Sequence, residues 1–253
     1  MEAGDTWPVP RLVASTGSTN DDVAALADSG APDGTCVVAE EQTAGRGRLD
    51  RTWVSPPGSG LWMSTLIRTG DQPVARWSQL SIVAGVAVVD ALRTACGVRA
   101  ELKWPNDIVV VDAACGGGGG LRKLGGILSQ AVGPDAVVLG IGVNVAMTSA
   151  DLPVPGASSV LLEGGRLDRA ELLIALHIAL HHRVEQWRRS DAALMADYRT
   201  LCSTIGRLVA IELPGGVSLQ GEVVAIDDDG HVVVFDGQKT STVTAGDVIH
   251  ATI

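Results

Sequence analysis

The residues best suited to chemistry form an arginine- and glycine-rich stretch, GRGRLDR, at positions 45–51. Glycine lets the backbone approach a ligand closely, and the forked guanidinium groups of Arg46, Arg48 and Arg51 match the oxygens of carboxylates and phosphates. The stretch therefore predicts a site for an anionic ligand. The alternative interpretation is a solvated basic loop, because arginine and glycine are common in loops. No GxxxxGK[ST] or GxGxxG pattern occurs, so neither a P-loop nor a Rossmann site is indicated.

Lysine is scarce, which makes each lysine informative: the 19 basic residues comprise 16 arginines and the lysines at 103, 123 and 239. Lys103 starts a KWPND turn at a strand end, and Lys123 precedes two glycines in what we predict to be a second turn. A lysine ammonium stabilises negative charge that develops on a transferring acyl or phosphoryl group. For Lys123 the alternative is a solubilising charge at the flank of a strand.

Three further patterns contain residue types that can do chemistry. The run GIGVN at 140–144 ends an apolar strand with small residues and one amide. It is interpreted either as the floor of a pocket or as a β-bulge. His177 and His181 lie one helical turn apart, but Ile178 replaces the glutamate of the HExxH zinc motif, so a structural role is favoured and no metal site is predicted. The four cysteines form no CxxC pair and are interpreted as reduced, mostly buried thiols.

The elements that must position these residues follow from periodicity and turn signals. A helix is predicted from Ser18 to Gly30, capped by Thr19, and a long loop at 42–60 separates two strands. A buried helix is predicted over Trp77–Cys96, and another from Arg169 to about Cys202. The predicted strands are Thr35–Glu40, Leu61–Ile67, Arg99–Trp104, Ile108–Asp112, Gly126–Val132 and Ala136–Val145.

The last part of the chain changes character. From residue 206 onwards, short β-branched runs alternate with turn sequences, as in a small all-β barrel, which predicts domains at 1–205 and 206–253. Five consecutive glycines at 116–120 predict a mobile loop beside a site.

Composition bounds the class of protein. The 253 residues carry a formal net charge of -10, a poor basis for binding nucleic acid through bulk charge. The first residues lack the pattern of a secretory signal, and no apolar stretch is predicted to be long enough to span a bilayer, so a cytoplasmic protein without membrane contact is expected.

Taken together, the motifs resemble those of biotin–protein ligases. The resemblance rests on STN at 18–20, QTAGRGRLDRTW at 42–53, KWPND at 103–107, KLGGIL at 123–128 and GIGVN at 140–144, in the order and approximate spacing of that family. It implies an α+β fold, with a mixed β-sheet and flanking helices as in class II aminoacyl-tRNA synthetases. The β-rich tail resembles the family's small SH3-like C-terminal barrel.

The resemblance also implies a reaction. Biotin's carboxylate would attack the α-phosphate of ATP to give biotinyl-5′-adenylate and pyrophosphate, with Mg²⁺ accompanying the nucleotide. A lysine of a biotin carboxyl carrier domain, part of a biotin-dependent carboxylase, would then take the biotinyl group. The arginine-rich loop suits this chemistry because it offsets the repulsion between two anions.

Site residues carry over by matching position. The biotin-site positions are Ser18, Thr19, Asn20, Gln42, Gly45, Arg46, Gly47, Arg48, Lys123, Gly125, Gly126 and Gly142. The ATP-site positions are Arg48, Arg51, Trp53, Lys123 and Asn144, with Trp53 a candidate neighbour of adenine. Lys123 and Arg48 are the expected catalytic residues, while Lys103, Asn106 and Asp107 match a supporting turn.

Two departures from the family pattern stand out. The family loop usually reads GRGRxGR, whereas this chain has Leu49 and Asp50, which puts the loop's closed shape in doubt. The glycine run at 116–120 is longer than the expected turn and could slow ordering of the site.

Two alternatives stay open at this point: a lipoate–protein ligase or lipoyl transferase, and a non-catalytic biotin or nucleotide sensor. Some family members carry an N-terminal DNA-binding winged helix. Because few residues precede the ligase-like region and the net charge is negative, we expect a short form without DNA binding. A monomer or weak homodimer is expected, since an edge strand could pair in a dimer or dock the acceptor.

Overall fold

Seven strands form the larger of two β-sheets, in the order β1-β2-β3-β7-β6-β5-β4. The computed structural model describes residues 7–111, 120–152, 154–213, 217–244 and 247–250. β1 and β2 run parallel, and the other neighbouring strands of this sheet run antiparallel. The strands are β1 Arg11–Thr16, β2 Cys36–Gln42, β3 Gly60–Arg68, β4 Glu101–Lys103, β5 Asp107–Val111, β6 Leu121–Val132 and β7 Ala136–Asn144.

Helices cover both faces of this sheet. They are α1 Thr19–Asp28, α2 Leu80–Ala91, α3 Arg169–Arg188 and α4 Ala192–Leu201, with a 3-10 turn at Val74–Gln79 and a π turn at Leu92–Cys96 flanking α2. α1 packs through Val23 and Ala27 into a small cluster with Val37 and Leu66 of the sheet. The other helices bury their apolar side chains in a larger cluster on the opposite face.

α2 is apolar all round because it is enclosed by the sheet, α3 and α4. The segment Val74–Cys96 is long and apolar enough to cross a membrane by length and composition, and 78% of its most apolar window is buried inside the fold. The expectation that no apolar stretch reaches that length was therefore wrong, and burial in the core explains the composition.

A second sheet follows α4, with antiparallel strands in the order β11-β10-β9-β8-β12. They are β8 Leu208–Leu213, β9 Val217–Ile226, β10 Val232–Phe235, β11 Thr240–Val243 and β12 Asp247–His250. The Trp104 indole N–H donates to Gly230 O at 2.9 Å, and Arg199 Nε donates to Ile226 O at 2.7 Å, so the sheet is bonded to the rest of the fold. A mixed sheet with flanking helices and a small C-terminal β-sheet confirms the predicted fold class.

Several predicted elements appear close to their expected bounds. The helix predicted from Ser18 to Gly30 is α1, and Gly30 follows its C-cap with a φ of +81°, a left-handed conformation that glycine adopts without strain. The predicted cap was wrong: Ser18 occupies the N-cap position without a side-chain hydrogen bond, and the Thr19 hydroxyl turns to Gln42 instead.

Other elements differ from expectation. The helix predicted from Arg169 to about Cys202 is two helices, because Ser190 has a φ of +56° and the Asp191 side chain accepts from Ala193 N to start α4. β1 was not predicted. Lys123 lies inside β6 rather than in a turn. The mobile loop predicted at 116–120 lies, apart from Gly120, outside the described residues, as does Cys115.

Candidate functional site

A cavity of about 370 Å³ opens where α1, the 43–59 loop, the KWPND turn and β6 and β7 meet. All the site residues predicted from the sequence line it, except Gly45 and Gly125. Among the lining residues, five side chains are cationic, namely Arg46, Arg48, Arg51, Lys103 and Lys123, and one, Asp107, is a carboxylate. The cavity is thus locally basic in an acidic chain, and suits an anionic ligand.

The start of α1 forms one wall through buried polar groups. Gln42 Oε1 accepts from Thr19 N at 2.9 Å and from Thr19 Oγ1 at 3.0 Å. Ser64 Oγ lies 2.7 Å from Thr19 Oγ1 and donates to Asn20 Oδ1 at 2.6 Å. Asn20 Nδ2 is buried without a hydrogen-bond partner among the described atoms, so its N–H groups are available to a polar ligand atom.

The arginine-rich loop lies against this wall and against the KWPND turn. Arg46 forms an ion pair with Asp21 in the first turn of α1, and Arg48 Nη1 donates to Asn106 Oδ1 at 3.0 Å. Gly47 N donates to Arg51 O at 2.7 Å, which closes a tight turn with Leu49 at a φ of +55°. The strained position of this loop is therefore Leu49, the residue that stands just before Asp50.

Lys123 lines the cavity from β6. Its Nζ lies 2.5 Å from Asp107 Oδ1 and 5.6 Å from the centroid of the Trp53 ring. Asp107 is the first residue of β5, directly after the turn. Asn106 is held by two hydrogen bonds with Ile127: Asn106 Nδ2 donates to Ile127 O at 3.0 Å, and Ile127 N donates to Asn106 O at 2.9 Å. The carboxylate and the aromatic face thus orient the ammonium group.

Trp53 lies on two glycines of the cavity wall. A Cβ on Gly142 would lie 2.8 Å from the indole, so only glycine leaves room for the ring at position 142. A Cβ on Gly126 would lie 3.3 Å from the same ring. The indole Nε1 is buried without a hydrogen-bond partner among the described atoms. Like Asn20 Nδ2, it is a donor that a bound ligand could satisfy.

Gly45 and Gly125 lie close to the backbone of neighbouring segments and do not line the cavity. A Cβ on Gly125 would lie 2.5 Å from Gly142 O, and one on Gly45 would lie 2.5 Å from Trp53 O. The structure therefore explains both glycines by close backbone approach rather than by a place on the cavity surface.

Sequence reasoning missed several residues of this region. Ser64 is fully buried in β3 behind Thr19 and Asn20, and Ser158 is 1% exposed beside Asn144. Neither belongs to a recognisable motif, and both contact the site through residues far away in the chain. Met63, Val154 and Ala157 also line the cavity.

The described residues contain no cluster of three His, Cys, Asp or Glu side chains that could hold a metal ion. The pair His177 and His181 packs against the Trp7 ring, with centroid separations of 5.6 and 5.0 Å. Burial, and then the nearby His181, lower the pKa of His177.

The buried thiols are chemically quiet. Cys36, Cys96 and Cys202 are free and buried. Burial raises the pKa of Cys36 to about 11, so this thiol stays protonated at neutral pH.

Comparison with known proteins places this geometry. Residues 12–144 match the model of the biotin/lipoate A/B protein ligase family, and residues 204–251 match the biotin protein ligase C terminal domain. The chain is 42% identical to biotin–[acetyl-CoA-carboxylase] ligase of Mycobacterium tuberculosis, over 98% of this chain and 91% of that protein. It is 30% identical to the bifunctional ligase/repressor BirA of Bacillus subtilis, over 88% of this chain and 68% of that protein.

Solved structures agree at the level of the fold. The biotin protein ligase of Aquifex aeolicus, in complex with biotin and ATP, superposes with a TM-score of 0.82 at 22% identity and covers 97% of this chain and 100% of that one. Family models that span both sheets, together with a relative similar along nearly the whole length, show that the chain belongs to the biotin protein ligases of the biotin/lipoate protein ligase family.

Proposed function

We propose that this chain is an ATP-dependent ligase that activates biotin as biotinyl-5′-AMP and transfers it to a lysine of a biotin carboxyl carrier protein. The observation that carries the proposal is the position of Lys123, an oriented ammonium group in a cavity with four further cationic side chains. The relative from Mycobacterium tuberculosis, named for this reaction, supports it.

In the first step, an oxygen of the biotin carboxylate forms a bond to the α-phosphorus, and the bond from that phosphorus to the β-phosphate oxygen breaks. Pyrophosphate leaves with the electron pair. Lys123 would offset the charge on the attacking carboxylate and on the α-phosphate, and Arg48 and Arg51 would hold phosphate oxygens. Asp107 and Asn106 would act through Lys123 and Arg48, whose polar groups they fix.

In the second step, the acceptor lysine attacks the acyl carbon of the adenylate as a neutral amine. The acyl–phosphate bond breaks, AMP leaves and the amine loses a proton. We propose that Ser18, Thr19, Asn20 and Gln42 hold the biotin head group throughout, because they offer buried donors and acceptors at one end of the cavity.

The test is biotin-dependent exchange of labelled pyrophosphate into ATP, followed by mass spectrometry of a purified carrier domain incubated with the protein, biotin and MgATP. We expect exchange with biotin and a mass gain at one acceptor lysine. Exchange with lipoate and none with biotin would favour the lipoate ligase instead. Tight biotin binding without any adenylate would favour a sensor.

Further properties belong to the same proposal. Strand β6 beyond Gly126 pairs with β7 on one side and, among the strands that the structure describes, with none on the other, so it offers an edge to the carrier domain or to a second copy. We propose a cytoplasmic monomer or weak homodimer without DNA binding. A sequence-specific, salt-sensitive DNA complex at physiological ionic strength would contradict this.

A further inference from the structure

The main chain of Lys123 is held by a segment outside the predicted motifs. Its N–H donates to Gly156 O at 2.7 Å, and its carbonyl accepts from Ser158 N at 2.8 Å. The segment 156–158 pairs in parallel with β6 at this point, on the side where β7 pairs from Gly125 onward. The backbone position of Lys123 therefore depends on where residues 156–158 lie.

Ser158 also holds a second site residue. Its carbonyl accepts from Asn144 Nδ2 at 2.9 Å. The N–H and C=O groups of one buried serine thus bond the main chain of Lys123 and the side-chain amide of Asn144, two residues that line the cavity from β6 and β7.

A group of three side chains, which we call the Arg122–Glu163–Ser158 clasp, fastens this segment. Arg122 Nε and Nη2 donate to the two oxygens of Glu163 at 3.1 and 3.0 Å. The same Glu163 Oε1 accepts from Ser158 Oγ. The Glu163 side chain is only 10% exposed, so two parallel charge-assisted bonds and a hydroxyl fix it with little competition from water.

We infer that the Arg122–Glu163–Ser158 clasp positions Lys123 and Asn144 for adenylate formation, with Glu163 and Ser158 as positioning residues. The inference rests on the proposed function. Arg122 is the neighbour of Lys123 on β6, and Glu163 lies five residues after Ser158. The clasp therefore joins β6 to the segment that holds the Lys123 main chain. Loosening it moves Lys123 relative to Asp107 without removing any group that touches substrate.

The test compares Glu163→Gln with a matched control, Asp90→Asn. Asp90 Oδ2 likewise accepts from Nε and Nη2 of one arginine, Arg183, at 3.0 and 2.7 Å, but it joins α2 to α3 away from the cavity. Three quantities are measured for each protein: kcat and KM in pyrophosphate exchange, melting temperature, and amide hydrogen exchange of residues 122–126 and 156–160.

We expect Glu163→Gln to lower kcat about ten-fold with the KM for biotin within about two-fold, since the head-group residues lie on α1 and β2. Amide hydrogen exchange should become faster at Lys123 and Ser158. Asp90→Asn should lower the melting temperature without either effect. An unchanged kcat in Glu163→Gln, or equal losses in both variants, would overturn the inference. Absence of biotin-dependent pyrophosphate exchange in the unaltered protein would instead refute the proposed function.

Discussion

At the residue scale, the site depends on the chemistry of a few side chains that the sequence already marks. Five cationic groups surround a cavity in a chain of net charge -10. Their scarcity and clustering made Lys123 and the arginines predictable. Ser64, Ser158 and Glu163 were not predictable, because they bond to Thr19, Lys123 and Arg122, which lie far away in the chain, and such a bond leaves no local pattern.

The first prediction concerns Lys123 itself. Lys123→Ala should lower adenylate formation about 10²- to 10³-fold, because removing one preorganised charge from a developing anion has that typical effect. The lysine side chain is 37% exposed, so the melting temperature should change little. Pyrophosphate exchange and thermal unfolding are the measurements.

Lys239→Ala is the matched control, since this lysine is exposed in the second sheet's turn region and does not line the cavity. Its exchange rate should equal that of the unaltered protein. A Lys123→Ala protein that keeps full exchange activity would remove the main support for the proposed site.

At the element scale, the sequence predicted the helices and strands that end in strong local signals and missed those that do not. Gly30 and Gly97, each just past a helix, mark both ends correctly. The pair Gly125–Gly126 suggested a turn, but these glycines lie inside β6, where a Cβ at 125 would meet the neighbouring strand. The break between α3 and α4 has no glycine or proline, so the sequence pattern predicts one helix there.

The second prediction follows from that break. Ser190 holds a φ of +56°, which is strained for a residue with a Cβ. Ser190→Gly should therefore raise the free energy of unfolding by about 1 kcal/mol. Loss of the hydrogen bond from Arg76 to Ser190 Oγ offsets part of this gain. Denaturant unfolding measures the change.

Ser29→Gly is the comparison, because Ser29 also follows a helix but has a φ of -84°. That change should lower stability, as glycine gains freedom in the unfolded chain without relieving strain. Equal effects at both positions would argue against strain at Ser190.

At the scale of the whole molecule, one continuous core joins both sheets. Val209, Ile211 and Val223 of the second sheet belong to the same buried cluster as α2, α3 and the larger sheet. The proposed division at 205/206 stays a prediction. The shared core leads us to expect a single cooperative unfolding transition, with no separate melting of residues 206–253.

The third prediction is a loss of stability in mild acid. Because burial lowers the pKa of His177 in the folded protein, the unfolded chain binds the proton more tightly. Its contribution to stability is complete above the ordinary histidine pKa of 6.5 and falls as the pH drops through 6.5 towards the lowered pKa of the folded protein. His177→Gln should therefore show a smaller drop in melting temperature between about pH 7.5 and 5.5.

His182→Gln, an exposed histidine on the same helix, is the control and should keep the original pH dependence. If His177→Gln loses as much stability on acidification as the unaltered protein, the pH effect arises elsewhere.

The last prediction concerns the contact between the second sheet and the turn that carries Asn106 and Asp107. The buried Trp104 donates from its indole to Gly230 O, which is itself buried, so Trp104→Phe leaves that carbonyl without its partner. The free energy of unfolding should fall by about 1–3 kcal/mol, the usual effect of an unsatisfied buried acceptor. Trp77→Phe is the matched control, since its indole donates to Gln72 O within its own segment.

If the two sheets unfold as one unit, Trp104→Phe should shift a single transition to lower denaturant, seen equally by far-ultraviolet circular dichroism and by proteolysis after residue 205. Two separated transitions would mean that this hydrogen bond maintains the cooperativity rather than only the stability. An unchanged midpoint would show that the hydrogen bond from Trp104 adds nothing measurable to stability, because the core contacts of residue 104 survive in phenylalanine.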